Sequence, residues 1–338
     1  MRMILAVDAG GTSSRAVLLD ESGACSGFGR AGGGNPTAVG ITAAVDALGL
    51  AVERALGDPV TPTDKDSLVV IALAGTATPP FVALLEARLA ALGLCGPTII
   101  EPDLLGTFCS GTARTEGYAV IAGTGAIAAR ITDGQIQTVK GGSGWLLGDT
   151  GSGFWIGQQV ARAVVAELDG LGPPTALTPL LLEATGIERT GKRSRGRSEE
   201  LTQLVHELYA LRPVELARFA LFAFEAVDTD SVAYDILDNA AIGIARILDA
   251  AIEPLPGESS ASLVVMGGSV LAAGLVRAPG IFTRRLRAAA GDAVLVQVPD
   301  GIVGAAVLAF RLFGREVDDA LHRRLTGEIN SVRVGQHR

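Results

Sequence analysis

The sequence predicts a mixed α/β protein built from two copies of one domain, and three observations lead to this prediction. Near the N-terminus two short apolar runs flank a Gly-Gly-Thr turn, and a similar arrangement recurs close to residue 120. After each hairpin, apolar segments of strand length alternate with segments of helical periodicity. A chain of 338 residues is also long for one compact core, so we expect two domains.

The N-terminal copy opens with apolar residues at 4–8 and 14–19, which flank Gly-Gly-Thr-Ser and predict a β-hairpin. A third antiparallel strand is expected over 23–32. Apolar periodicity and a proline near one helix start then predict a series of alternating elements. In chain order these are a helix over 41–57, a strand over 67–75, a helix over 79–93 and a strand over 97–103.

The C-terminal copy begins at residues 116–142, which repeat the order strand, Gly-Thr-Gly turn, strand, polar turn, strand. A mostly helical region follows over about 154–253. Residues 262–274 then predict a strand, a glycine turn and a helix. A late strand is expected over 293–299 and a helix over 301–314. Only two copies occur, which indicates a duplicated domain rather than a solenoid.

Composition and charge narrow the class of protein. The formal net charge of −8 argues against an extended nucleic-acid surface, and the basic run at 189–200 is interpreted as a solvated loop. Cys25, Cys95 and Cys109 are too scattered for a disulfide framework or a zinc site, which fits a reducing cytosol. Because no apolar run approaches the ~20 residues that cross a bilayer, we expect a cytoplasmic protein without membrane contact.

The glycine turns indicate phosphate binding. Glycine lets backbone N–H groups approach an oxygen without a Cβ in the way. Here a strand follows the turn, so we expect a hairpin cradle, and the P-loop pattern is absent. Two such hairpins facing each other across a cleft could hold a polyphosphate from both sides, and a third glycine turn at 267–269 could support a nucleoside. Taken alone, either hairpin could instead be an ordinary turn without a bound phosphate.

Asp8 lies directly before the first glycine turn. A carboxylate beside phosphate-binding amides is repulsive unless a divalent cation lies between it and the phosphates. Mg²⁺ keeps several of its waters when it binds to proteins. We therefore expect Asp8 to face Mg²⁺ through water.

Six segments together resemble a known family. They are "DAGGTSSRAVLLD", "GNPTAVG", "EPDLLGTFCSGT", "IAGTGAIAARI", "GGSGWLLGDTGSGFWIG" and "VVMGGSVLAAG". In this order they resemble the N-acetylglucosamine kinase group of the actin-like ATPase and sugar kinase superfamily, together with its BadF/BadG/BcrA/BcrD-type ATPase relatives. The resemblance runs from residue 8 to about residue 310.

The resemblance implies two ribonuclease-H-like (actin-like ATPase) domains, each a mixed sheet flanked by helices, with the active-site cleft between them. We expect the first domain over 1–115 and the second over 116–330, with the helical region as an insertion in the second. A C-terminal helix could pack back on the first domain. The family also implies a homodimer that uses ATP and Mg²⁺.

The resemblance also assigns site residues by motif. For ATP these are Gly10, Gly11, Thr12 and Ser13 in the first turn, Gly123, Thr124 and Gly125 in the second, and Gly267, Gly268 and Ser269 at the nucleoside. For the sugar they are Asn35, Asp103, Gly141, Gly142 and Asp149.

Asp103 stands where the family keeps its catalytic base. A carboxylate within hydrogen-bond reach of the attacking hydroxyl can accept its proton during phosphoryl transfer. The alternative role for Asp103 is that of a helix N-cap. Glu101, two residues earlier, is the other carboxylate that could act as the base. Asp149, assigned to sugar contact, could instead stabilise a turn.

Three positions depart from the family pattern. Ala126 stands where serine is common in the family, and Thr150 stands where glutamate is usual. In "GGSGW" the tryptophan, Trp145, lies two positions later than in the family's common "GGWG". Trp145 or Trp155 could stack on a sugar face, although packing is the simpler role for Trp155.

Taken together, the sequence predicts an ATP-dependent kinase for the 6-hydroxyl of N-acetylglucosamine. Glucosamine, N-acetylmuramic acid and N-acetylmannosamine are alternative substrates. An ATPase that activates a partner enzyme is less expected, because the cysteines do not occupy the positions that would hold an iron–sulfur cluster.

Overall fold

Two five-stranded sheets form the framework of the molecule. The structure is a computed structural model, and it describes residues 3–57, 67–252 and 263–335. The strands of the N-terminal sheet are β1 Met3–Ala9, β2 Ser14–Asp20, β3 Cys25–Ala31, β4 Leu68–Leu73 and β5 Thr98–Pro102. Those of the C-terminal sheet are β6 Gly117–Ala122, β7 Ala126–Thr132, β8 Gln135–Gly141, β11 Leu263–Gly267 and β12 Val294–Gln297. A separate small hairpin consists of β9 Arg193–Ser194 and β10 Arg197–Ser198.

The two sheets have equivalent topologies. The N-terminal strand order is β3-β2-β1-β4-β5, and the C-terminal order, read from the matching edge, is β8-β7-β6-β11-β12. In each sheet the first three strands pair antiparallel, and the next two add in parallel. This equivalence confirms the duplicated α/β fold that the repeated glycine hairpins predict.

Helices cover both sheets. Those of the N-terminal half are α1 Pro36–Val39, α2 Ile41–Leu56, α3 Pro79–Ala91 and α4 Asp103–Gly111. Those of the C-terminal half are α5 Gly144–Leu147, α6 Gly153–Asp169, α7 Leu177–Thr185, α8 Glu199–Ala210, α9 Ala220–Ala226, α10 Ser231–Ile252, α11 Ser269–Arg277, α12 Pro279–Ala290, α13 Ile302–Leu312 and α14 Asp319–Gly335, with a 3-10 helix over Pro213–Phe219. In the described ranges no helix is both long and apolar enough to span a bilayer.

The elements differ from the sequence predictions in two respects. The basic run at 189–200 is exposed over most of its length, but it also holds the β9–β10 hairpin and the start of α8. No helix was predicted at α1, α5 or α12, and α4 was implied only by the capping alternative for Asp103. The helices α1 and α5 contain four residues each, too few to show helical periodicity. Residues 253 and 262, at the edges of two predicted elements, lie outside the described residues. The proposed domain boundary at 115/116 falls in the connection between α4 and β6 and remains a prediction.

The central core lies between the two sheets. Buried side chains of β1, β4 and β11 meet those of α4 and α13, which cross in this layer. A second core packs the helical region against the C-terminal sheet, and a third packs α2 and α3 against the outer face of the N-terminal sheet. The α4–α13 layer therefore joins the two sheets and fixes the ends of their strands relative to each other.

Glycine allows α4 and α13 to approach closely. A Cβ on Gly304 would overlap the carbonyl oxygen of Gly106, and the Gly304 N–H donates to Ser110 Oγ at 2.8 Å. The added Cβ would also lie 2.7 Å from the Ser110 backbone nitrogen. Because these are backbone atoms of α4, a side chain at position 304 cannot be accommodated by a rotamer change.

Gly304→Ala is therefore expected to lower the free energy of unfolding by at least about 2 kcal/mol, through overpacking of the crossing. Urea unfolding followed by circular dichroism measures this change. Gly280→Ala is the matched control, because an added Cβ there meets no atom within 4 Å. If both variants unfold at the same urea concentration, the crossing does not depend on glycine.

Candidate functional site

The two glycine turns of the hairpins lie next to each other at the strand ends of the two sheets, and the space between the turns is called the gap below. The first joins β1 to β2, and the second joins β6 to β7. A Cβ on Gly11 would lie 3.0 Å from Thr124 Oγ1, so the tips of the turns come within direct contact distance. The turns that the sequence predicts to act together thus open onto one common space.

Hydrogen bonds to the turn carbonyls fix the orientation of the peptides in both turns. The carbonyl of Gly10 accepts the N–H of Gly34 at 2.9 Å, so the Gly11 N–H points the opposite way in the same trans peptide. In the second turn, the carbonyls of Gly123 and Thr124 accept N–H groups from the first turn of α6, at 2.6 and 3.4 Å. The N–H groups of Thr124 and Gly125 therefore point away from α6, as they would in an anion-binding loop.

The third glycine turn lies beside the second. Gly268 has φ 96°, a conformation that favours glycine, and it precedes α11. A Cβ on Gly123 would lie 3.9 Å from both the Gly268 Cα and the Ser269 nitrogen. All three glycine turns named in the sequence analysis are thus contiguous, at the ends of strands β1, β6 and β11.

Asp8 is buried beneath the first turn, where it belongs to a network of charges. Its Oδ2 accepts from Arg15 Nη1 at 3.0 Å, and its carboxylate also accepts the backbone N–H of Gly301. Arg15 Nε lies 3.1 Å from Asp300 Oδ2. Burial, followed by the charge of Asp300, raises the pKa of Asp8 to about 6, and Arg15 opposes this rise.

Asp103 lies close to Asp8, at the mouth of the gap. It is the first residue of α4, where Pro102 holds the N-cap position, and its carboxylate accepts the backbone N–H groups of Asp103 and Leu104. Asp103 therefore caps the start of the helix, and its role as a base stays a prediction. Burial raises the pKa of Asp103 to about 7, with a further contribution from the Asp8 carboxylate. Burial alone raises the pKa of Glu101. Of the two candidate bases, Asp103 is therefore the one within electrostatic reach of the turn.

Asn35 is fixed beside the first turn. Its Oδ1 accepts from the backbone N–H groups of Thr37 and Ala38 at 2.9 and 3.3 Å, so it caps α1. The neighbouring Gly34 binds Gly10, and a Cβ on Gly75 would overlap Asn35 Oδ1. With the oxygen used in capping, the Nδ2 group remains as the donor of this side chain.

Asp149 contacts the second turn. Its Oδ1 accepts from the Ala126 N–H at 3.4 Å, and its backbone has φ 59°. The Ala126 carbonyl in turn accepts from Gly142 N–H at 2.9 Å, next to Gly141 at the end of β8. Burial raises the pKa of Asp149. Ala126 thus links the phosphate turn to the segment that the sequence assigns to the sugar.

The two tryptophans differ in exposure. Trp145 is 46% exposed and packs edge-on against Phe154, with ring centroids 5.8 Å apart. Trp155 is half-buried against the helical core. Trp145 is thus the tryptophan whose face is open to solvent near Asp149.

Sequence reasoning missed the partners of Asp8. Arg15 lies in strand β2, and a single arginine in a strand gives no signal in the sequence of the carboxylate that it contacts. Asp300 and Gly301 stand in "VPDGIVG", a turn signal before an apolar helix that predicts a helix start but not a charge partner. Arg333, which contacts Asp300, lies 33 residues further along the chain.

The residues around Asp8 fit a hydrated Mg²⁺ rather than a cage of protein ligands. In the described residues no cluster of three or more acidic, histidine or cysteine side chains could enclose a metal. Each Asp8 oxygen is within reach of a protein donor, Gly301 or Arg15. A single carboxylate of this kind suits an ion that keeps its waters and binds mainly to nucleotide phosphates.

Two equivalent sheets with facing glycine turns are the architecture of the actin-like ATPases. A structure from Chromobacterium violaceum, proposed to be an N-acetylglucosamine kinase, has a TM-score of 0.72 at 24% identity and covers 92% of this chain and 99% of that one. A ROK family glucokinase from Streptomyces griseus has a TM-score of 0.51 at 19% identity, with coverage of 91% and 99%. At these identities the likeness concerns the fold.

The chain belongs to the BadF/BadG/BcrA/BcrD ATPase family, whose model matches residues 5–309. It is 28% identical over 215 residues to N-acetyl-D-glucosamine kinase of Dictyostelium discoideum, covering 62% of this chain and 64% of that protein. It is 29% identical over 189 residues to glucosamine kinase GspK of Vibrio cholerae, covering 54% and 61%. The matches thus span less than two thirds of these relatives.

Proposed function

We propose that this protein is an amino-sugar kinase that transfers the γ-phosphoryl group of ATP to the 6-hydroxyl of N-acetylglucosamine. The facing turns carry the proposal, because they lie next to each other and the N–H groups of Gly11, Thr124 and Gly125 point away from the elements that hold the turn carbonyls. Phosphoryl transfer depends on such positioning and charge neutralisation. The relatives from Dictyostelium and Vibrio are amino-sugar kinases, which supports this choice within the ATPase family.

In this proposal the triphosphate lies between the first and second turns, and the nucleoside lies at the third. Residues 10–13 and 123–125 bind phosphate oxygens, while Gly267, Gly268 and Ser269 support the nucleoside. Asp8 would hold hydrated Mg²⁺ through water, and the ion neutralises phosphate charge when it is bound. The Arg15 guanidinium limits the repulsion between Asp8 and the phosphates.

Asp103 is proposed as the general base. Its carboxylate accepts the proton of the attacking 6-hydroxyl as the new O–P bond forms and the bond from the γ-phosphorus to the bridging oxygen of ADP breaks. The raised pKa of Asp103 makes it a stronger base than an ordinary carboxylate. Its place at the start of α4 holds it near Asp8, which precedes the first turn.

The sugar is proposed to bind between Asn35 and the Gly141–Asp149 segment. Asn35 can donate through Nδ2. Asp149, whose carboxylate already accepts the N–H groups of Ala126 and Gly144, can use its remaining lone pairs to accept from a sugar hydroxyl. The exposed face of Trp145 is available for stacking on the apolar face of a pyranose. Glucosamine, N-acetylmuramic acid and N-acetylmannosamine present related hydroxyls and are the alternative substrates.

The rate of phosphorylation is expected to fall in acid. A carboxyl whose pKa is raised to about 7 is protonated below that value and cannot accept a proton. We therefore expect kcat/KM for the sugar to rise with pH up to about 7 and then level off. A pH–rate profile at saturating MgATP measures this, and an unchanged rate from about pH 5 to 8 would contradict the role of a buried carboxylate base.

An ADP-release assay across the four amino sugars tests the proposal directly. N-acetylglucosamine is expected to give the highest kcat/KM, and release without sugar is expected to be slow. Glucose is the control for the acetamido group, because it offers the same 6-hydroxyl. ADP release that does not depend on any sugar would overturn the kinase assignment and leave an ATPase.

A further inference from the structure

Four charged side chains form an alternating ladder from the first phosphate turn to the C-terminal helix. Asp8 contacts Arg15 at 3.0 Å, and Arg15 contacts Asp300 at 3.1 Å. Arg333 of α14 contacts both oxygens of Asp300, with Nη2 at 3.0 Å from Oδ2 and 3.1 Å from Oδ1. The four residues come from β1, β2, the segment before α13, and α14, which are far apart in sequence but meet here.

The ladder is shielded from water at its centre. The Asp300 side chain is 6% exposed, and those of Arg15 and Arg333 are 19% and 20% exposed. The guanidinium of Arg333 also lies 5.5 Å from the centre of the Phe28 ring. Its Nε is buried and has no hydrogen-bond partner in the part of the chain that the structure describes. Both polar contacts given for this guanidinium are to Asp300.

Arg15 contacts two carboxylates, those of Asp8 and Asp300. Arg333 supplies a second positive charge to Asp300. With all four charges present, the ladder is neutral beside the phosphate turns. Without Arg333, Asp300 has only Arg15 as a counter-charge, and one net negative charge remains next to the gap. Charges with little solvent around them interact more strongly than exposed ones. The extra negative charge would therefore repel the phosphates and weaken their binding.

We propose that Arg333 is a positioning residue for the nucleotide site. It neutralises the charge of Asp300, so that Arg15 remains paired with Asp8. Through this contact the C-terminal helix sets the net charge beside the triphosphate. This inference rests on the proposed function, because it takes the gap between the turns as the ATP site. Arg333 acts through Asp300 and Arg15 and touches no substrate.

The test is calorimetric binding of MgATP at about pH 8, where ordinary carboxyl groups are ionised. Arg333→Met is expected to weaken binding about tenfold, which corresponds to about 1.4 kcal/mol. Asp300→Asn together with Arg333→Met restores neutrality and is expected to bind within about threefold of the wild type. The KM for the sugar is expected to change by less than about threefold in both variants, since the ladder lies on the phosphate side.

The rescue separates a charge effect from a structural one. If Arg333 only anchored α14 to the rest of the protein, replacing the Asp300 carboxylate as well would not restore MgATP binding. Arg323→Met is the matched control, because Arg323 lies on the same helix and is exposed. It is expected to bind MgATP like the wild type.

Asp300→Asn alone gives a test that does not depend on folding of Arg333→Met. It removes a negative charge while Arg15 stays with Asp8, so MgATP is expected to bind about two- to threefold more tightly. Weaker binding by Asp300→Asn, or wild-type binding by Arg333→Met, would overturn the inference. Failure of the wild type itself to bind MgATP would instead overturn the proposed function.

Discussion

Asp103→Asn is expected to lower kcat at least about a hundredfold while MgATP and the sugar bind nearly as before. Asparagine keeps the shape and a hydrogen-bonding oxygen, but it cannot accept the proton of the attacking hydroxyl at neutral pH. Because Asp103 begins α4 at the mouth of the gap, the loss is expected in turnover rather than in folding. Steady-state kinetics and calorimetry on the same preparation measure both quantities.

Glu101→Gln provides the matched control, since it makes the same chemical change two residues earlier in the chain. Glu101 is half-buried on the edge strand β5, and the Asp8 charge does not contribute to its raised pKa. We expect kcat within about threefold of the wild type. A large loss in Glu101→Gln with normal turnover in Asp103→Asn would assign the base to Glu101.

Gly11→Val is expected to weaken MgATP binding at least about a hundredfold, or about 2.7 kcal/mol. A Cβ at this position would already lie 3.0 Å from Thr124 Oγ1, so the larger side chain would fill the gap between the two turns. Gly11 is not among the glycines with positive φ, so valine does not require a forbidden backbone conformation there. The expected defect is therefore blocked access to the turn amides, and calorimetric titration with MgATP measures it.

Gly327→Val controls for the general effect of replacing glycine by valine. Gly327 lies on α14, and an added Cβ there meets no atom within 4 Å. Its MgATP affinity is expected to match that of the wild type. If Gly11→Val binds MgATP as tightly as this control, the phosphates do not pass between the turns.

Local patterns were enough to predict the fold and the contiguity of the glycine turns. Strand period, glycine position and the order of elements repeat in both halves, and each depends on residues close together in sequence. The strand equivalence of β1–β3 with β6–β8 follows from this repetition. The sequence pattern implied that the two turns are close, and the structure gives the distance: a Cβ on Gly11 would lie 3.0 Å from Thr124 Oγ1.

The charge network could not be predicted in the same way. Arg15, Asp300 and Arg333 meet only because α13 and α14 return to the first turn, and no local pattern encodes that return. The capping role of Asn35 was also hidden, since the same side chain was assigned to the sugar alone. Assembly into a homodimer stays a prediction, because it depends on surfaces rather than on motifs.

A crystal structure with a non-hydrolysable ATP analogue, Mg²⁺ and N-acetylglucosamine tests the central claim most directly. We expect the phosphates to contact the backbone N–H groups of Gly11, Thr124 and Gly125 together, with the sugar 6-hydroxyl within hydrogen-bond distance of Asp103. A nucleotide whose phosphates touch only one of the two turns, or lie away from the gap, would contradict it.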